Sequence, residues 1–303
     1  MFNYYEQKNN RSKSFGGLIL MSEVKKVRLG VLKLGAIGTA VILEYLMDER
    51  ADRKDLITRV VTSGAKMDPE QAEEVAPKLL EFNPDVVVIA SPNAALPGPS
   101  KAREIVAQCK VPTIVITDAP GAKAEEDCQA KGMTLIVVAG DSMIGAKREF
   151  LDPAEMALFN ASVLTVLAAT GAFNIVFKEL DSALEAAKTS GTYTPSVIKI
   201  KARKAVAAGN FTNPYARAKA DAAYRIAEGV AAVTVEGCFK MKEAEKYIPT
   251  VAAGHEMMQE AAKLALEARE LEKGGDSLVR MPHYKQGEIM KKTKLLEAPE
   301  VAK

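Results

Sequence analysis

The sequence predicts an α/β chain: a parallel sheet covered by helices in the first half, then a helix bundle with a small β insertion. Three observations carry this. Short β-branched and apolar runs alternate with helical apolar spacing from Val27 to Val138. From Asp152 onward the segments become Ala-rich and lose that alternation. The predicted helices open on cap-and-proline signals. Alternation of strand and helix implies right-handed crossovers and a sheet buried on both faces, the Rossmann-like arrangement.

Val27 to Lys33 reads as the first strand and Ile37 to Met47 as the helix behind it. Leu56 to Thr62 is a second strand, followed by a helix over Pro69 to Glu81. Val86 to Ala90 and Thr113 to Thr117 are short buried strands, with helices predicted over Ser100–Gln108 and Ala122–Lys131. Met133 to Val138 is a fifth strand. Asp68-Pro69-Glu70-Gln71 and Asp152-Pro153-Ala154-Glu155 each place a capping carboxylate, a proline at the first helical position, and Gln or Glu three residues after the cap. Asn213-Pro214 repeats the cap and the proline. In the second half, helical segments are predicted from Pro153 to about Ala187, Pro214 to about Ala232, and Thr250 to Lys273. Ser196 to Ile200 is a short β-prone interruption.

This pattern divides the chain into an α/β cofactor-binding domain (24–151) and a helical bundle (152–273) with a small β segment near 194–201. A tail over 274–303 begins Gly274-Gly275-Asp276, is rich in Lys, and reads as a surface-wrapping or frayed segment. Residues 1–23 are polar, with an apolar stretch, Leu18 to Met21, too short for a signal-peptide core; they read as a disordered or extraneous extension. The 41 Lys and Arg against 39 Asp and Glu give a net charge of +2, which points to neither nucleic acid nor an anionic membrane. The chain has no run of about 18 apolar residues, so no membrane span is expected. Cys109, Cys128 and Cys238 are scattered without metal spacing, and read as reduced thiols in the cytoplasm.

In a parallel sheet the ligand lies beyond the carboxyl ends of the strands, at the switch in strand order. Five loops then converge: 34–39, 63–67, 91–100, 118–121 and 139–148. A dinucleotide fingerprint needs Gly-x-Gly-x-x-Gly with an acid about 20 residues on. Here Lys33-Leu34-Gly35-Ala36-Ile37-Gly38 has lysine in the first glycine's place, and Ser63, Gly64, Ala65 and Lys66 offer no carboxylate for a ribose. A ligand with a single phosphodiester fits better: Gly35 and Gly38 allow close approach, Lys33 or Lys66 supplies charge, and Ser63 can donate. Pro97-Gly98-Pro99-Ser100-Lys101 opens the third helix as a second anion-tolerant rim, with Lys101 and Arg103 either beside it or on a solvated face. Asp118 either accepts from a heterocycle's N–H or caps the next helix.

Other chemistries lack their residues. There is no Gly-x-Ser-x-Gly elbow and no Gly-Lys-Ser phosphate loop. His255 lies on the apolar stripe of Val251, Met258 and Ala262, as a core or cleft histidine; His283, in the tail, is expected to be exposed. Neither has a second ligand at metal spacing, so no metal is expected. This scarcity suits direct hydride transfer between two bound molecules, where orientation supplies most of the catalysis and no side chain need act as nucleophile, acid or base.

Asn93-Ala94-Ala95-Leu96-Pro97-Gly98-Pro99-Ser100-Lys101-Ala102-Arg103, Asp118-Ala119-Pro120-Gly121 and Arg148-Glu149-Phe150-Leu151-Asp152-Pro153-Ala154-Glu155-Met156 together resemble one family. It is the coenzyme F-420-dependent methylenetetrahydromethanopterin dehydrogenases of methane-metabolising archaea. Lys66-Met67-Asp68-Pro69, Val166-Leu167-Ala168-Ala169-Thr170-Gly171, Val235-Glu236-Gly237-Cys238 and His255-Glu256-Met257-Met258 extend the resemblance over about Val27 to Pro282. It implies a cytoplasmic oxidoreductase moving a hydride reversibly between the reduced deazaflavin and methenyl-tetrahydromethanopterin, in methanogenesis or its reversal. It also implies a homohexamer built as a trimer of dimers, no metal, and no tightly bound flavin. The cofactor side is expected to use Gly35, Ile37, Gly38, Thr39, Ser63, Lys66, Pro92, Asn93, Pro97, Gly98, Ser100, Asp118, Ala119 and Pro120. Asp141, Met143, Arg148 and His255 are candidates for the pterin side. Ala36 stands where the family commonly has Asn, Ala94 where it has Pro, and Leu96 where it has a smaller residue. Two other readings remain open on these residues: an NADP-linked methylenetetrahydropterin dehydrogenase with Lys66 on the 2′-phosphate, and a non-catalytic ligand-binding protein on the same sheet.

Overall fold

The computed structural model describes residues 25–48, 52–142 and 152–302, so the expected extension over 1–23 lies outside the described residues. Five strands stand where the apolar runs place them: β1 (Val27–Lys33), β2 (Leu56–Thr62), β3 (Val86–Ser91), β4 (Thr113–Thr117) and β5 (Thr134–Val138). Between them run α1 (Gly38–Asp48), α2 (Pro69–Leu80), α3 (Pro97–Ala107) and α4 (Glu125–Ala130). The second half contributes α5 (Pro153–Thr170), α6 (Ala172–Thr189), β6 (Val197–Ile200), α7 (Ala202–Ala208), α8 (Pro214–Val235) and α9 (Ala244–Gly274). Two short strands, β7 (Met290–Lys291) and β8 (Glu300–Val301), pair in the tail.

All neighbours in the main sheet are parallel, in the order β2-β1-β3-β4-β5-β6. The chain steps outward from β1 to β2, then crosses back to β3, so the switch lies between β1 and β3. Alternate residues serve opposite faces. Leu32, Val87, Ile89, Val115 and Leu135 meet Val75, Leu79 and Val106 of α2 and α3. Val31, Val88, Ile114, Ile116 and Ile136 meet Phe159, Val163 and Leu167 of α5, Phe177 of α6, Tyr224 of α8 and Met258 of α9. The apolar core on that second face runs without a break from the sheet into the helical half.

The caps form as expected. Asp68 accepts from the Gln71 N–H at 3.0 Å, Asp152 from Glu155 at 2.7 Å, and Asn213 from Tyr215 at 2.8 Å. Other elements differ from the sequence reading for identifiable reasons. The third helix begins at Pro97 rather than Ser100, because proline suits the first helical position. The stretch before α4 winds as a 3-10 turn over Ala119–Ala124. The run expected from Pro153 to Ala187 breaks at Gly171, where φ is 98° and a Cβ would lie 2.3 Å from the Gly209 nitrogen. Only glycine allows that reversal and that approach of the following loop. The β-prone insertion is the sheet's sixth strand, with Leu135 opposite Val197 and Val138 opposite Ile200. Finally, α9 starts at Ala244, six residues before Thr250, and carries Pro249 within it.

The tail wraps the body. Its Lys285 carbonyl accepts from Lys54 N–H at 2.8 Å, and Lys188 Nζ donates to the Gln286 carbonyl at 2.8 Å. His283 is not exposed as expected: it is 1 % accessible, with Nε2 3.1 Å from Asp181 Oδ1 and its ring centroid 4.7 Å from that of Phe177. The tail carries it inward against α6, a long-range placement that local sequence does not show.

Candidate active site

The loops after the five sequential strands converge at the carboxyl edge of the sheet, and each is held by its neighbours. After β1, Leu34 donates to the Ala90 carbonyl at 2.9 Å and Gly35 to the Gly64 carbonyl at 3.0 Å. Gly35 has φ 80°, and a Cβ there would lie 2.7 Å from Met67 Sδ and 3.0 Å from Pro92 Cδ. The turn therefore needs glycine for both conformation and space. Gly35, Ile37, Gly38 and Thr39 are buried, and only Ala36 projects at the tip. After β2, Ser63 Oγ donates to the Lys66 carbonyl at 2.6 Å, and the Lys66 side chain is exposed on this rim. Lys33 is not its partner in that role, since its Nζ pairs with Glu44 at 2.6 Å.

The loop after β3 is tied from three sides. Asn93 Oδ1 accepts from Ala95 N–H at 3.0 Å, and Thr117 Oγ1 accepts from Ala94 N–H at 3.0 Å. Arg103 Nη1 donates to the Ala94 carbonyl at 2.5 Å. Arg103 is thus no free cation: it is 1 % accessible and pairs through Nη2 with Asp127 at 2.6 Å. Lys101 pairs with Glu73 at 3.1 Å. The N-terminus of α3 also has few donors to give, because Pro97 and Pro99 lack N–H groups. Gly98 is pressed against backbone, its Cβ position 2.1 Å from the Met67 carbonyl oxygen. It is a packing glycine beneath the rim, with Pro92 buried beside the first loop; Pro97 is exposed above it, and Asn93 and Ser100 are half-buried.

Asp118 ends β4 with Oδ1 accepting from its neighbour's Ala119 N–H at 2.6 Å, and is 5 % accessible. Burial pushes its carboxyl up to about 8, assisted by the charge of Asp141 and opposed by the Ala119 bond. Of the two roles read from sequence, the cap of the 3-10 turn is the one its bonds display, and the residue lies at the edge of the floor. Ala119 and Pro120 are exposed beside it.

Asp141, expected on the pterin side, turns inward instead. It is 0 % accessible; Oδ1 accepts from Gly38 N–H at 2.6 Å, and Oδ2 from Thr39 N–H at 2.8 Å and the Thr39 hydroxyl at 2.5 Å. Burial raises its carboxyl above the usual range against the pull of these donors. Met143 and Arg148, farther along this loop, lie outside the described residues. His255 sits on α9 at 2 % accessibility, Nδ1 2.6 Å from Glu155 Oε1 on α5 and its ring 4.5 Å from that of Phe159.

The structure thus groups the candidates into a rim and a floor. Ser63, Lys66, Asn93, Pro97, Ala119 and Pro120 reach the surface, while Gly35, Ile37, Gly38, Thr39, Pro92, Gly98 and Asp118 lie underneath. Arg103, Thr117 and Met67 brace the rim from beneath. Arg103 and Thr117 act through backbone atoms of Ala94, a contact that local sequence does not show. The described residues include no group of three His, Cys, Asp or Glu placed to hold a metal ion. An apolar groove of about 530 Å³, lined by Ile42, Tyr45, Leu164, Phe173 and Phe177, belongs to the helical side rather than to these loops.

Among the described residues the rim is built of small side chains with Lys66 exposed beside them, and comparison with known proteins shows what the chain is similar to. The sequence profile described as methylene-5,6,7,8-tetrahydromethanopterin dehydrogenase matches residues 27–300. The F-420-dependent methylenetetrahydromethanopterin dehydrogenase of Archaeoglobus fulgidus is 58 % identical over 274 residues, 90 % of this chain and 99 % of the relative. Its counterpart in Methanocaldococcus jannaschii is 51 % identical over 275 residues, with the same coverage. A solved F-420-dependent methylene-tetrahydromethanopterin dehydrogenase, in complex with methylene-tetrahydromethanopterin and coenzyme F-420, superposes with a TM-score of 0.87 at 45 % identity. That likeness covers 91 % of this chain and 100 % of the solved one.

Proposed function

The chain belongs to the methylene-5,6,7,8-tetrahydromethanopterin dehydrogenase family, and we propose that it moves a hydride reversibly between reduced coenzyme F-420 and methenyl-tetrahydromethanopterin, giving methylene-tetrahydromethanopterin. It is an oxidoreductase with coenzyme F-420 as co-substrate and a tetrahydromethanopterin-type pterin as carbon carrier. The observation that carries this is the end-to-end match: 99 % of a relative of this activity aligns at 58 % identity.

The deazaflavin, when bound, supplies or accepts the hydride. The chain's own residues bind and orient. In this reading the exposed Lys66 holds the phosphodiester and the small rim residues Ala36, Ala95 and Ala119 admit the ring close to the backbone. Asp118, which keeps its proton at neutral pH, presents an O–H donor from the floor. No side chain is assigned as catalytic acid or base, because hydride transfer to an already cationic acceptor moves no proton. His255, braced by Glu155, is assigned to the pterin side.

We place the enzyme in the cytoplasm and assign it to methanogenesis or its reversal. We also read it as a homohexamer, a trimer of dimers. Exposed apolar side chains on the helical half support association: Leu158 at 60 %, Tyr215 at 74 % and Leu266 at 50 % accessibility. Light scattering at micromolar protein tests this; a monomer mass rejects it.

The activity is tested by mixing the protein with methenyl-tetrahydromethanopterin and reduced coenzyme F-420, then following the visible band of the oxidised deazaflavin. The band should grow with reduced coenzyme F-420, and the NADPH absorbance should stay constant when NADPH replaces it as donor. Turnover with NADPH alone would favour the nicotinamide-linked reading, and no turnover with either would favour a binding protein.

A further inference from the structure

We propose that Asp141 is a specificity residue: its carboxyl fills the N-terminus of α1, where doubly wound sheets receive a dinucleotide's pyrophosphate, and so excludes dinucleotides from the cleft. In such sheets the pyrophosphate lies at the N-terminus of the helix after the first strand, held by its free N–H groups. In this chain those groups are taken. Gly38 and Thr39 give their N–H groups to Asp141 at 2.6 and 2.8 Å, and the Thr39 hydroxyl is 2.5 Å from the same carboxyl.

Space is taken as well. Asp141 and Thr39 are 0 % and 1 % accessible. A Cβ on Gly38 would lie 2.8 Å from Asp141 Oδ1 and 2.8 Å from Val163 Cγ1. Gly38, the third position of the fingerprint register, is thus packed against the internal carboxyl and α5, and leaves no gap between them. A pyrophosphate at this helix end would have to displace Asp141, leaving a buried carboxyl without its donors beside a second anion. Discrimination by loss of satisfied buried partners is strong. A cofactor with one phosphodiester carried on the outer rim, at Lys66, meets no such obstacle. The inference deepens the coenzyme F-420 reading, but its test needs no deazaflavin, so the two can fail separately.

The test uses the full chain with Asp141 intact and the variants Asp141→Ser and Asp141→Asn. Binding of inorganic pyrophosphate and of ADP is measured by titration calorimetry, and their effect on Tm by thermal denaturation. The parent should bind neither. Asp141→Ser, with the donors uncovered, should melt lower, recover on adding pyrophosphate or formate, and gain at least about tenfold in ADP affinity. Asp141→Asn, which refills the space, should stay insensitive. A cap with only a structural role would lower Tm without recovery by anions. The proposal is overturned if Asp141→Ser shows the parent's circular dichroism yet binds no anion. It is equally overturned if the parent itself binds ADP as tightly as the variant, a measurement that stands even where the variants fail to fold.

Discussion

Arg103 Nη1 donates to the Ala94 carbonyl at 2.5 Å while Nη2 holds Asp127 at 2.6 Å, so one buried guanidinium ties the third strand-end loop to the helical layer. Lysine has one nitrogen and cannot span both partners. Arg103→Lys should therefore destabilise the chain by about 1–3 kcal/mol in urea titrations. In steady-state kinetics it should raise KM for coenzyme F-420 several-fold with little change in kcat, because the loop shifts while the reacting groups remain. A collapse of kcat with KM unchanged would contradict this.

Asp118 imposes a pH dependence with a definite sign. Its folded carboxyl titrates at about 8 and its reference value is 3.8, so between them the folded chain retains a proton that the unfolded chain has lost. Stability from this group is present in acid and falls as pH rises from about 4 to 8. Asp118→Asn keeps the oxygen that accepts from Ala119 and removes the titration. Comparing melts at pH about 5 and about 8, the variant should lose less stability than the parent, by on the order of 1–3 kcal/mol. Parallel profiles would show that the carboxyl is ionised in the folded chain. Affinity for coenzyme F-420 should decline in the parent above pH about 8 as the O–H donor is lost.

Gly98 and Gly64 separate packing from openness. A methyl on Gly98 meets the Met67 carbonyl oxygen at 2.1 Å, whereas one on Gly64 meets nothing within 4 Å and suffers only the strain of φ +65°. Gly98→Ala should cost about 1–3 kcal/mol or more through overpacking. Gly64→Ala should cost about 1 kcal/mol through its backbone alone. The Cm in urea distinguishes them. Folded Gly98→Ala protein that loses its coenzyme while keeping its Cm would mean that the glycine contacts the ligand.

The strands were readable because each is a local apolar run, and the helices after them because caps and prolines are local as well. Asp68, Asp152 and Asn213 all cap as their spacing implies. What was not readable depends on contacts distant in sequence. Gly171 ends a helix because α7 and its loop press on it, and Val197 joins the sheet because the edge of β5 is free to pair. Of the site, the loops were legible and the direction of their side chains was not. Asp141 looks like a ligand-facing acid in sequence, and only the fold shows it reaching Gly38 and Thr39, about a hundred residues earlier. Arg103 looks like a surface cation until Ala94 folds over it.

In the function proposed for it, the chain aligns two bound molecules for direct hydride transfer and contributes no acid or base. Single-turnover reduction of methenyl-tetrahydromethanopterin with deazaflavin carrying deuterium at the transferred position measures this most directly, run at several pH values at saturating cofactor. All of the label should appear in the pterin methylene group, at a rate independent of pH, and His255→Ala and Asp118→Asn should slow the step by no more than about 10–100-fold. Label exchanged into solvent, or a rate that falls to background in either variant while the coenzyme stays bound, would contradict it.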